Sequence, residues 1–211
     1  RQLAMRMLAS ESRINVSDVR TGRLKEHEWA RLIQATAALS KAKIYIDDTP
    51  ALTVQTLASR AKRLRAEHQL DMIVVDYLQL METSKKNINS REQHISDISR
   101  SMKVLAKELD IPIIALAQLN RGVEQRQDKR PMMSDLRESG AIEQDADIIG
   151  FVYRDEYYNE DTELKGIAEF IIGKHRSGST GKVQLRFFPE FTRFDNLAPD
   201  GAHSDADAPP F

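Results

Sequence analysis

The stretch Asp71-Met-Ile-Val-Val-Asp-Tyr-Leu-Gln-Leu80 constrains this chain most. Met72 to Val75 form a short apolar run that leads straight into a carboxylate, Asp76. A run this short and this rich in β-branched residues predicts a strand buried on both faces, as in a parallel sheet. Such a strand tolerates an acid only at its carboxyl end. In open α/β sheets that end is where ligands bind. An Asp there suits a Mg²⁺ ion, held through water beside the phosphates of a nucleotide. An acid that merely caps the strand and faces solvent fits this stretch equally well, so the rest of the chain decides.

The chain has 211 residues, enough for one large domain or a domain with tails and for a sizeable core. Lys and Arg number 31 against 32 Asp and Glu, for a formal charge of -1. A bulk basic footprint for nucleic acid is therefore absent, and any such contact has to come from local loops. There is no cysteine, which excludes disulfides and thiolate metal sites. No apolar run reaches the roughly 18 residues of a membrane-spanning helix and no signal peptide is visible, so a soluble, cytoplasmic protein is expected. The sequence starts at Arg1, without Met and inside a helical pattern, which reads as a fragment whose front is missing.

Residues 1–11 put Leu3, Met7 and Leu8 on one helical face, with Arg6 elsewhere and by default solvated. Residues 16–22 read as a polar connection. A helix over 24–40 carries the stripe Trp29, Leu32, Ile33, Thr36 and Leu39. His27-Glu28 invites comparison with zinc proteases, but Arg31 stands where that motif needs its second His. Lys43 to Ile46 reads as a short strand ended by Asp47-Asp48-Thr49-Pro50. Thr53 can cap a helix bearing Val54, Leu57, Ala61 and Leu64. After the strand 71–76, residues 82–90 are a polar loop. The next helix shows Ile95, Ile98, Met102, Leu105 and Leu109 on one face. Ile111 to Gln118 is a strand, with Pro112 near its start where a missing N–H is tolerated. A charged loop to Asp135 and a polar segment to Asp147 precede the strand 147–153, and residues 154–166 form another loop. Two strand patterns, 168–174 and 182–188, flank a Gly-rich turn and make a hairpin. Residues 198–211 are acidic and read as a disordered tail. The order of elements gives an α/β fold with a mostly parallel sheet and an antiparallel C-terminal hairpin.

Right-handed crossovers bring Asp76 and Gln118 to the same carboxyl edge. An amide there can contact a γ-phosphate or the attacking water, although a buried Gln that satisfies backbone groups is the commoner case. Lys174, His175 and Arg176 stand at the hairpin bend, where they can hold phosphate oxygens or simply be solvated. Gly178-Ser-Thr-Gly-Lys182 imitates a phosphate-binding P-loop, but two residues rather than four separate its glycines and Val183 follows the Lys. No other stretch fits that motif. Arg137 and Gly140 could grip a phosphodiester backbone, with a solvated loop as the alternative.

Five segments then occur in order: Asp76-Tyr-Leu-Gln-Leu80, Ala117-Gln-Leu-Asn-Arg121, Asp135-Leu-Arg-Glu-Ser-Gly140, Ile142-Glu-Gln-Asp-Ala-Asp147 and Gly173-Lys-His-Arg-Ser-Gly178. Together they closely resemble the C-terminal motor domain of the bacterial replicative DNA helicases, the DnaB family. Leu3-Ala-Met-Arg-Met-Leu8 matches the same family. The resemblance covers residues 1–197 and implies a RecA-like core in a homo-hexameric ring around single-stranded DNA. That ring hydrolyses ATP at subunit interfaces and moves 5′ to 3′. It implies Asp76 as the acid holding Mg²⁺ through water, Gln118 as γ-phosphate sensor and Arg6 as a nucleotide contact. Lys174, His175 and Arg176 match the residues that reach the neighbouring subunit's ATP, with Arg176 as the arginine finger. His175 departs from the Gln that many members carry. Arg137, Glu138 and Gly140 match the loop holding the DNA backbone.

The resemblance further implies a primase and a helicase loader as partners, and work at bacterial replication forks. In the family the P-loop and the water-activating glutamate lie upstream of the position of Leu3. The expectation is therefore a motor that is active as the full-length protein and inactive as this chain alone. Two rivals remain: another RecA-like ATPase such as a recombinase, and a non-catalytic assembly or loader-binding module.

Overall fold

A computed structural model describes residues 2–83 and 90–197, without the side chains of residues 137–139. The acidic tail 198–211 and most of the polar loop 82–90 lie outside the described residues. The helices are α1 (Gln2–Ser12), α2 (Val16–Thr21), α3 (Glu26–Lys41), α4 (Val54–Glu67), α5 (Arg91–Leu109) and α6 (Gly140–Asp145). The strands are β1 (Ile73–Val75), β2 (Ile113–Ala115), β3 (Ile148–Tyr153), β4 (Ile167–His175), β5 (Gly181–Phe188) and β6 (Arg193–Asn196). β1 and β2 pair in parallel, Val74 opposite Ile114. A four-stranded sheet runs β3-β4-β5-β6, with β5 and β6 antiparallel. The α/β class is as read from the sequence, and β6 extends the antiparallel part beyond the expected hairpin.

The chain divides into two compact units. The first gathers the residues up to Tyr45, Val152–Phe170 and those from Lys182 on. Its helices α1 and α3 pack together, and Arg193 donates to the Ser10 carbonyl at 3.0 Å. Residues 16–22, expected to be a connection, form α2. Asn15 accepts from the Ser17 N–H at 2.8 Å, and Gly22 ends the helix at φ 72°. That is an N-cap and a left-handed C-cap on a helix too short for periodicity to reveal. The stripe on α3 is not a buried one: Trp29 is 50% and Ile33 65% exposed, and Ala35 is the helix's buried residue.

The second unit comprises Ile46–Phe151 and Ile171–Gly181. Its core is the face of α5 anticipated from spacing, Ile95, Ile98, Met102, Leu105 and Leu109, packed with Val54 and Ala61 of α4. Thr53 caps α4 by accepting from the Thr56 N–H at 3.2 Å. Ile73, Val75 and Ile113 lie against this core, whereas Val74 is 56% and Ile114 47% exposed. β1 is therefore buried on one face and not on both. α4 and α5 supply cover for the inward residues, and their outward neighbours meet solvent. Residues 43–46 carry no strand ladder and are exposed.

Candidate functional site

β1 delivers Asp76 to its carboxyl end, and the Asp76–Tyr77 peptide is cis. β2 ends at Ala115, short of the expected 111–118, and the chain runs on to Gln118. Main-chain bonds tie the two ends together, Leu116 N–H to the Val75 carbonyl and Leu78 N–H to the Leu116 carbonyl, both at 2.9 Å. The Gln79 side chain completes the link. Its amide donates to the Gln118 carbonyl at 3.1 Å and its oxygen accepts from the Gln118 N–H at 3.2 Å. The side chains of Asp76 and Gln118 are exposed and bond no described residue. An exposed carboxylate with no competing cation suits a hydrated divalent ion, which is the fit that an ATP·Mg²⁺ site requires. Among the described residues no group of three or more His, Cys, Asp or Glu forms a metal cage.

The hairpin is built differently. Gly173 sits where a β-carbon would come within 2.7 Å of the Phe151 ring and 3.2 Å of the Met133 sulfur. The missing side chain lets β4 lie close to that ring. At Gly178 a β-carbon would overlap the His175 imidazole, so the turn closes over that ring. Lys174 is half-buried, and its ammonium donates to the carbonyls of Glu143 and, at 2.8 Å, of Ala146. Arg176 is exposed and donates from its backbone N–H to the Asp147 carbonyl at 2.8 Å. Its guanidinium reaches Asp147 Oδ1 at 3.1 Å and the Gln144 carbonyl at 3.2 Å. Lys103 of α5 pairs with the other oxygen of Asp147. Lys103, and then Arg176 and Lys174, hold the Asp147 carboxyl below the ordinary aspartate range.

Of the residues expected to hold nucleic acid, Arg137 and Glu138 lie on the 3-10 turn Met133–Ser139, and Gly140 opens α6. Gly140 is exposed, with open space where a β-carbon would stand. A partly buried lock ties the start of the turn to the chain before it. Asp135, 8% exposed, accepts from both terminal nitrogens of Arg126 at 2.9 Å and from the Met132 N–H at 2.8 Å. The Asn120 N–H, two residues after Gln118, donates to the Asp135 carbonyl at 3.0 Å. Arg6 belongs to the first unit, where it lines a shallow depression of α1 with Met7, Ser10 and Glu11.

Gln79, Arg126 and Asp147 are the residues that sequence reasoning passed over. Their partners lie nine or more residues away in sequence. The one available signal was charge, an acid at the head of strand 147–153 and a basic hairpin in the same fold.

A parallel strand pair, a four-stranded sheet with an antiparallel edge and the helices around them give a RecA-like α/β domain. The family model "DnaB-like helicase C terminal domain" matches residues 1–196, and the chain belongs to that family. It is 54% identical over 209 residues to the replicative DNA helicase DnaB of Geobacillus stearothermophilus, covering 99% of this chain and 46% of that protein. It is 56% identical over 199 residues to the DnaB of Buchnera aphidicola subsp. Acyrthosiphon pisum, covering 93% and 43%. Among solved structures, one described as an ATPase domain superposes with a TM-score of 0.87 at 44% identity, over 92% of this chain and 69% of that one. A DnaB-like replicative helicase, described with its interactions with primase, gives 0.88 at 44% identity, over 92% and 47%. The chain thus spans under half the length of the curated relatives it matches. No helix among the described residues is long and apolar enough to cross a membrane.

Proposed function

We propose that this chain is the nucleotide-responding and DNA-gripping part of an ATP-driven replicative helicase. The full protein works as a homo-hexameric ring on single-stranded DNA, moves 5′ to 3′, and hydrolyses ATP at subunit interfaces. The observation that carries this reading is the Asp76–Gln118 edge, where two uncommitted polar side chains stand at the ends of adjacent parallel strands.

Bound ATP·Mg²⁺ supplies the phosphoryl group that passes to water. Asp76 holds the hydrated metal ion, and Gln118 hydrogen-bonds the γ-phosphate side. Gln79 keeps the Gln118 backbone in register for that contact. Arg6 is a further nucleotide contact. Lys174, His175 and Arg176 serve the ATP of the neighbouring subunit, and Arg176 is the group that stabilises charge in the transition state. Arg137, Glu138 and the Gly140 main chain hold the DNA backbone, on a turn that the Arg126–Asp135 lock stiffens. Few contacts per subunit suffice in a ring, which reconciles DNA binding with a net charge of -1. Primase and a helicase loader are its partners, at replication forks in the bacterial cytoplasm.

The chain contains no P-loop motif, so it does not turn over ATP by itself. The test uses the full-length protein on forked duplexes with either a 5′ or a 3′ tail, with ATP and Mg²⁺. Unwinding from the 5′ tail, lost in Asp76→Ala, is expected. Unwinding that survives Asp76→Ala contradicts the assignment, and so does DNA-stimulated turnover by residues 1–211 alone.

A further inference from the structure

The hairpin at the end of β4 holds two cations on its own chain, and it holds them in different ways. The ammonium of Lys174 has three N–H donors, and two go to carbonyls at the end of α6. Lys174 is half-buried and acts as a strut. The guanidinium of Arg176 has five N–H donors, and its bonds to Asp147 Oδ1 and the Gln144 carbonyl engage two of them. Three remain for an oxyanion, on a side chain that is 52% exposed. Arg176 therefore does not have to release Asp147 in order to bind a phosphate.

Asp147 is itself anchored. Lys103, on the helix that forms the core, pairs with its second oxygen, and the Asp147 carbonyl receives the Arg176 N–H at 2.8 Å. An acid held by the core thus grips one edge of an exposed cation that works outside it. We propose that Asp147 is a positioning residue for Arg176, fixing the guanidinium in the orientation from which it meets the phosphate of a neighbouring subunit. The proposal rests on the reading of Arg176 as the finger. Long cationic side chains lose much rotamer freedom on ordering, so a partner that orders Arg176 beforehand favours the transition state. Lys103, Arg176 and Lys174 favour the charged form of Asp147, which an aspartate already holds at neutral pH.

The experiment measures steady-state ATP turnover by full-length rings with DNA present, for Asp147→Asn, Arg176→Ala and the double variant. Asp147→Asn is expected to lower kcat about tenfold with KM nearly unchanged, as loss of an orienting partner does. In the Arg176→Ala background the same change is expected to have no further effect. Lys103→Gln, which loosens Asp147 without altering it, should lower kcat by a smaller factor and also be silent without Arg176. Unchanged turnover in Asp147→Asn overturns the proposal. An equal fall with and without Arg176 also overturns it, because Asp147 would then act on the fold. If Arg176→Ala alone leaves turnover intact, the finger reading itself fails, and this proposal fails with it.

Discussion

The two parts of the candidate site are held by opposite means. At the strand edge the backbone does the holding: β1 and β2 pair, Gln79 clamps the Gln118 main chain, and Asp76 and Gln118 keep their side chains uncommitted. At the hairpin, beside the main-chain bond from the Arg176 N–H to the Asp147 carbonyl, side chains do much of the holding, through Lys174 on carbonyls and Arg176 on Asp147. A strand inside a sheet inherits its position from neighbours. A turn that runs past the sheet has few neighbours and must make its own contacts. The first arrangement leaves functional groups available to a ligand, and the second requires a group that holds its own chain and still has donors left over. Arg176, with five N–H donors, can do this; Lys174, with two of its three spent, has little left.

This contrast can be tested by removing groups from each part. Arg176→Ala should have the largest effect, a loss of about 10³-fold or more in ATP turnover and of unwinding, the loss expected where an arginine finger is removed, read by phosphate release and a strand-separation assay. Lys174→Met should loosen the fold as well as remove a contact to the neighbouring subunit's ATP. Losing two charge-assisted bonds to carbonyls costs about 2 kcal/mol, visible as faster hydrogen exchange over 143–147 and the hairpin. Gln79→Ala should cost about 1 kcal/mol in local stability. It should lower turnover more than it lowers nucleotide affinity, because it misplaces Gln118 without touching Asp76. The smallest effect is on pH. Asp147 has a folded pKa below the ordinary 3.8, so its contacts contribute above that value and are lost as pH falls through the lower one. Carboxyl carbon chemical shifts should therefore report Asp147 more than half ionised at pH 3.8.

What the sequence revealed follows the same division. The face of α5 and the Thr53 cap were legible because each is written within a few residues, as a repeat of three and four or as a side chain beside its own helix start. The stripe on α3 has the same spacing, yet Ile33 is 65% exposed. Periodicity states which face can be covered, not whether this chain covers it. Val74 and Ile114 make the same point for a strand: a continuous apolar run wants two covered faces and here has one. α2 escaped detection because its six residues carry caps but no period. That Asp76 and Gln118 follow paired strands, and that three cations cluster at a hairpin bend, was readable from the strand patterns. Gln79, Arg126 and Asp147 were not, since each is defined by a partner far along the chain. The Arg126–Asp135 lock stands nine residues apart in a stretch that reads as a charged loop, and only the burial of Asp135 distinguishes it.

On the function proposed, Asp76 and Arg176 serve one ATP site from two different subunits. Full-length Asp76→Ala and Arg176→Ala proteins, each inactive, can be mixed under conditions of subunit exchange. A mixed ring then contains interfaces pairing an intact Asp76 with a neighbour's intact Arg176, about a quarter of the total in an equal mixture. The account predicts that ATP turnover reappears on mixing, in proportion to those interfaces. Turnover that stays at the level of the separate variants, with subunit exchange verified, would contradict it.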